Sequence, residues 1–176
     1  MRKKYPYKSG FTGGDNDMYN YSDNNEKDDI SLHDCRATKI VVNDNMLSFI
    51  FREGFWVSES NINNFSKKPS YTDESEVKFK TLYKDINSNI TIYVFTDTNE
   101  KNKQIRESIP LERFIEEING GTELEFLYSY KGYQSFIFEC WLWFENEPYH
   151  KECVIIISAD EVTYSWNTLF AEDLWK

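Results

Sequence analysis

From Phe136 to Phe144 the chain reads Phe-Ile-Phe-Glu-Cys-Trp-Leu-Trp-Phe, nine residues with one charge and neither glycine nor proline. The run is too short to cross a bilayer as a helix and is rich in the aromatic residues that favour strands. Read as a strand, it has two unlike faces, because successive side chains alternate. Phe136, Phe138, Cys140, Leu142 and Phe144 form a core face. Ile137, Glu139, Trp141 and Trp143 form the other. Two indoles and an acid on one face call for a cover, whether a helix, a loop, a ligand or another protein, and a packing helix is the first expectation.

A chain of 176 residues is long enough for one domain with a real core. The aromatic share of 17% means that large rings supply much of the core volume, as strands prefer. Twenty basic against thirty acidic residues give a net charge of −10. Such a surface repels phosphate backbones and anionic lipid, which argues against nucleic acid or membrane as a partner and favours a basic protein. Three cysteines are too few, and odd in number, for a disulfide framework. The basic start Met1–Lys8 is followed by no apolar signal segment, so a cytoplasmic protein with reduced thiols is expected.

Residues 1–30 are polar, turn-rich and without period, and read as an N-terminal arm that Tyr5, Tyr7, Tyr19 and Tyr21 could pin to a domain spanning 31–176. A turn at Asp44-Asn45 would set Val42 opposite Leu47 and Ile40 opposite Phe49, with every apolar group on one face. Asn61 to Asp73 reads as a loop. Val77 and Phe79, then Ile90, Ile92 and Val94, mark two further strands. Leu111, Phe114, Ile115 and Ile118 form one helical stripe, with Ser108 as the expected N-cap, Pro110 in the first turn and Asn119-Gly120-Gly121 as the stop. A three-residue loop at Tyr130-Lys131-Gly132 would place Phe126 opposite Phe136 and Leu124 opposite Phe138. A turn at Asn146-Glu147 would place Cys140 opposite Cys153 and Phe138 opposite Ile155. Val154–Ile157, apolar on both faces, should be a central strand, and Val162, Tyr164 and Trp166 a last one. The fold expected is α+β and mostly β: a curled antiparallel meander of about eight strands with one packing helix near Ser108–Asn119.

Chemistry-bearing residues are sparse. His33-Asp34-Cys35 is the one place where three reactive side chains adjoin. Neighbours on an extended chain point apart, and no glycine-rich loop or nucleophile elbow accompanies them. His33 and Asp34 therefore read as a polar pair bonding backbone at a strand entry, with a metal-dependent enzyme as the weaker alternative. His150 and Cys153 lie three apart and would face opposite sides of a strand, so no metal site or cofactor is expected. From Thr122 to Lys176 there are ten acids and three basic residues. Among them Glu139, Glu145, Glu147 and Glu152, with Trp56, Trp141 and Trp143, form the candidate binding set, since opposed charge steers encounter and aromatics anchor interfaces.

Leu32-His33-Asp34-Cys35 leads into a strand, a turn and a second strand ending Phe55-Trp56-Val57. This opening resembles that of small bacterial β-rich domains classed with the immunity proteins of polymorphic toxin systems. The resemblance covers about the first third of the organised domain. It implies a protein that neutralises a cognate toxin by occlusion, so the expected function is a non-enzymatic protein-binding module of the immunity type, acting on a basic toxin. The alternative is a small-molecule or carbohydrate binder that stacks its ligand on Trp56, Trp141 and Trp143.

Overall fold

The computed structural model describes residues 18–98 and 103–171. Their strands are β1 (Tyr21–Asp23), β2 (Ile30–Ser31), β3 (Cys35–Ala37), β4 (Lys39–Asn43), β5 (Met46–Phe51), β6 (Trp56–Val57) and β7 (Ser70–Thr72). There follow β8 (Ser75–Thr81), β9 (Ile90–Asp97), β10 (Gln104–Ser108), β11 (Glu123–Gly132), β12 (Ser135–Trp143), β13 (His150–Trp166) and β14 (Leu169–Ala171). A 3₁₀ turn, Ile86–Asn89, precedes β9, and the helix α1 covers Leu111–Asn119. The protein is α+β and mostly β, as its alternating pattern predicts, but with more and shorter strands than the eight expected. They make an unclosed ten-stranded antiparallel sheet and a four-stranded one, β14-β7-β6-β2.

The spine is β13, 17 residues long. Its first half, which contains Val154–Ile157, lies between β12 and β9 and is central as expected. The second half pairs with β8 and β1. Val162, Tyr164 and Trp166 thus belong to this same strand. The register against β8 shifts between Ala159 and Glu161, and such a bulge bends a strand. The two halves of the sheet then meet through their inner faces. Phe49 and Phe51 of β5 contact Phe126 of β11, with ring centroids 5.6 and 5.3 Å apart. Phe79 of β8 contacts Phe136 and Phe138 of β12 at 5.2 and 5.9 Å. Most of these pairs are edge-to-face, the arrangement that the ring quadrupole favours.

The β4–β5 hairpin has the expected register, Ile40 opposite Phe49 and Val42 opposite Leu47, with Asp44 at φ 52° in the turn. The β12–β13 pair also follows expectation, Cys140 opposite Cys153 and Phe138 opposite Ile155. Its connection is wider than a two-residue turn: Phe144 N–H donates to the Tyr149 carbonyl at 2.9 Å. The β11–β12 hairpin differs. Gly132 is the last strand residue, the turn is Tyr133-Gln134, and Leu124 and Phe126 oppose Leu142 and Cys140 rather than Phe138 and Phe136. A bulge at Leu127 takes up one residue, so the core faces agree in this register too.

The helix buries Leu111, Phe114 and Ile118 in the core. Ser108 is not its N-cap, because it is held in the β10–β9 ladder opposite Tyr93. Pro110 takes the capping position, with φ −62° and ψ 148°. The stop is as expected, with Gly121 at φ 118°. Of the residues read as an arm, 1–17 lie outside the described residues, with Tyr5 and Tyr7 among them. The remainder joins the sheets: β1 pairs with β13, Tyr21 stacks on Trp166 at 5.9 Å, and β2 pairs with β6. Within the loop from Asn61, the buried amide of Asn64 donates to the Val57, Ser58 and Lys68 carbonyls, and the loop ends in β7. Gly54 is required where it stands: at φ 84°, an added Cβ would lie 2.2 Å from the Thr72 carbonyl oxygen. No helix among the described residues is long and apolar enough to cross a membrane.

Candidate functional site

Among the described residues no helix lies on the face of β11, β12, β13 and β9 turned away from the core. The main contacts of α1 are with β4 and β9, and its apolar stripe points inward. The expected packing of Trp141 and Trp143 against the helix is therefore corrected. Their cover comes from side chains of the sheet itself. The indoles meet edge-to-face at 5.7 Å, and the His150 ring, on the neighbouring strand, lies 4.9 Å from Trp141 and 5.3 Å from Trp143. The Arg36 guanidinium of β3 sits 4.8 Å over Trp143. Arg36 also pairs with Glu123 at 2.8 Å and reaches Glu125 at 3.7 Å. Trp143 Nε1–H donates to the Glu125 carboxylate. Glu125 is nearly buried, and these two partners replace the water it has lost.

One end of this face is thus a satisfied network, and the other is open. The Leu127 bulge turns Tyr128 and Tyr130 outward, opposite Glu139 and Ile137. Both tyrosines are exposed, at 57% and 52%. The Glu139 carboxylate beside Tyr130 pushes its phenol pKa upward, chiefly by charge. Glu139 and Glu152 are exposed and form no ion pair among the described residues. Beside them Ile137, Val154, Ile156 and Tyr93 are half-buried, and Arg106 lies 4.7 Å over the Tyr93 ring. The result is an apolar and aromatic floor with carboxylates that no described basic side chain pairs.

Glu139, Trp141, Trp143 and Glu152 share this face. Glu145 and Glu147 do not; they stand on the loop after β12, beside a cleft of about 390 Å³ bordered by Gly120 and Gly121. Trp56 belongs to the four-stranded sheet, edge-on to Tyr71 at 4.7 Å. His33 and Asp34 flank the open face. His33 Nδ1–H donates to the Leu127 carbonyl, and its ring lies 5.8 Å from that of Tyr128. Asp34, at φ 60°, bends back so that its carboxylate is 3.6 Å from His33 Nε2. The Asp34 backbone N–H donates to the Phe126 carbonyl at 2.8 Å, so of the pair only His33 bonds backbone through its side chain. Adjacent residues point apart only on an extended chain, and the left-handed φ of Asp34 removes that condition.

His150 is exposed and Cys153 buried, on opposite faces of β13. No group of three or more His, Cys, Asp or Glu among the described residues could hold a metal ion. Arg36, Glu125, Tyr128 and Tyr130 are site residues that the pattern did not point to. A bulge has no sequence signal here, and without it both tyrosines would fall on the core face with Phe126. Comparisons with protein-family models, with curated proteins and with solved structures return no match to this chain.

Proposed function

We propose that this chain is a non-enzymatic protein-binding module, and more particularly an immunity-type inhibitor of a basic toxin, with the open face of the ten-stranded sheet as its contact surface. The observation that carries the reading is that this face combines exposed Tyr128 and Tyr130 and a half-buried aliphatic floor with carboxylates that form no ion pair among the described residues. Aromatic anchors in a charged surround are the chemistry of a protein interface, and opposed charge speeds encounter with a cationic partner. The reading has the protein at work in the cytoplasm, and three unpaired thiols suit a reducing compartment.

The carbohydrate reading draws less support. Stacking a sugar needs a free ring face, whereas Arg36 occupies one face of Trp143 and His150 tilts against both indoles. The metal-dependent reading around His33 and Asp34 lacks a third ligand nearby among the described residues.

The test is capture from host lysate on the immobilised protein and, in parallel, on a Glu139→Lys/Glu152→Lys variant, at low and moderate salt. The expected outcome is a basic protein retained by the wild type, released by salt and lost from the variant. Its toxic activity should fall in proportion to added wild-type protein. A partner held by both forms with the same rate and salt dependence would remove the electrostatic reading. A retained protein whose activity is unaffected would remove the inhibitor reading.

A further inference from the structure

Past the Leu127 bulge, β11 has a neighbour on one side only among the described residues. Its pairing with β3 ends at Phe126, while its pairing with β12 continues to Gly132. Among the described residues no strand lies against Tyr128–Gly132 on the other side, and all five residues are exposed. At about 3.4 Å per residue this is roughly 17 Å of open strand edge. Natural sheets usually blunt such edges. The β4 edge of this same sheet is blunted: Asn119 Oδ1 accepts from Ile40 N–H at 2.8 Å and its Nδ2 donates to the Ile40 carbonyl at 3.0 Å.

The two sides of the open edge differ in chemistry. On the core side Ser129 and Lys131 border a cleft of about 220 Å³, floored by Phe136, Phe138, Val162 and Tyr164. Glu26 and Asp28 stand on its opposite rim. On the outer side are the exposed rings of Tyr128 and Tyr130, next to Glu139.

We propose that the β11 edge accepts an extended segment of a partner protein as an added strand, one whose residues alternate between apolar and cationic. Backbone hydrogen bonds to β11 would supply affinity, and the alternating side chains the selectivity. One set enters the cleft and buries against Phe136, Phe138 and Val162. The other set lies over Tyr128 and Tyr130, where ring faces and the Glu139 carboxylate favour an ammonium or guanidinium group. The proposal rests on the basic-partner reading above and adds to it a mode of binding and a sequence pattern.

The test uses the full ¹⁵N-labelled chain and a short blocked peptide of alternating valine and lysine. The control is a block peptide of the same composition, which cannot present one residue type to each side. Amide exchange at Ser129 and Lys131 should slow by about ten-fold or more with the alternating peptide and not with the control. Signals of Val162 and Tyr164 should shift. Tyr130→Lys, a substitution at an exposed position, should weaken binding about ten-fold by charge repulsion. Shifts confined to Trp141, Trp143 and Glu152 would overturn the edge proposal while leaving the open-face reading intact. Unchanged exchange at the edge with either peptide would overturn the proposal. So would edge amides already protected in the free protein together with a dimer in sedimentation, because a second copy would then occupy the edge.

Discussion

The Cys140 and Cys153 thiols face each other across β12 and β13, and burial raises the pKa of both. Burial also pushes Cys35 up to about 11, against the hydrogen bond that it receives from the Tyr71 hydroxyl. Tyr19 and Tyr164 are pushed up to about 12, again chiefly by burial. In each case folding favours the neutral form. Once the unfolded thiols ionise, near pH 8.5, the unfolded state binds fewer protons than the folded one. The stability these groups contribute is complete below about pH 8.5 and is lost as pH rises, for Cys35 until about pH 11. The urea midpoint should therefore fall steadily from about pH 8 to about pH 10.5, and native thiols should label at pH 8 only as fast as the protein opens. A flat midpoint over that window would contradict the burial of these groups. At this scale much was legible: the opposed cysteines, the inward phenylalanines and the outward Glu139 all follow from alternation. Glu125 was not. Its burial depends on Arg36 and Trp143, and only the folded chain brings all three together.

Among the elements, α1 does two things that its apolar stripe only half announces. Leu111, Phe114 and Ile118 complete the core, while the last helical residue caps a strand edge through its side chain. Asn119→Ala should remove both bonds to Ile40, at about 0.5–1.5 kcal/mol each. It should also leave the β4 edge open to self-association. Urea unfolding should report the first effect, and concentration-dependent sedimentation the second; Asn119→Asp, which keeps only the acceptor, should fall between. The helix, its glycine stop and two hairpin registers could be read from the chain because each is settled within a few residues by periodicity and turn chemistry. The β11–β12 register could not. One inserted residue at Leu127 joins two registers, neither of them the one that the local pattern predicts, and it sends Tyr128 and Tyr130 to the outer face.

At the scale of the molecule, one strand serves both halves of the sheet, and a few rings join their inner faces. Phe126 contacts Phe49 and Phe51 from one half and Phe138 from the other. Phe126→Ala should cost about 3–5 kcal/mol, as expected for a fully packed ring. The loss should appear in one transition, so tryptophan fluorescence and far-ultraviolet dichroism should give the same midpoint before and after substitution. Separate transitions would mean that the halves fold independently across β13. The sequence alone determined the long strands β4, β5, β8, β9, β12 and β13, their apolar faces, and where the helix begins and ends to within a few residues, because these follow from short-range alternation and turn propensity; the short strands β1, β2 and β7 it did not. Only the tertiary structure decided that β13 bends at Asp160, that Arg36 meets Trp143 and His33 meets Leu127, and that β11 keeps an open edge. Those outcomes rest on contacts between residues far apart in the chain, whose free energy depends on packing across the whole sheet and leaves no periodic trace in any one segment.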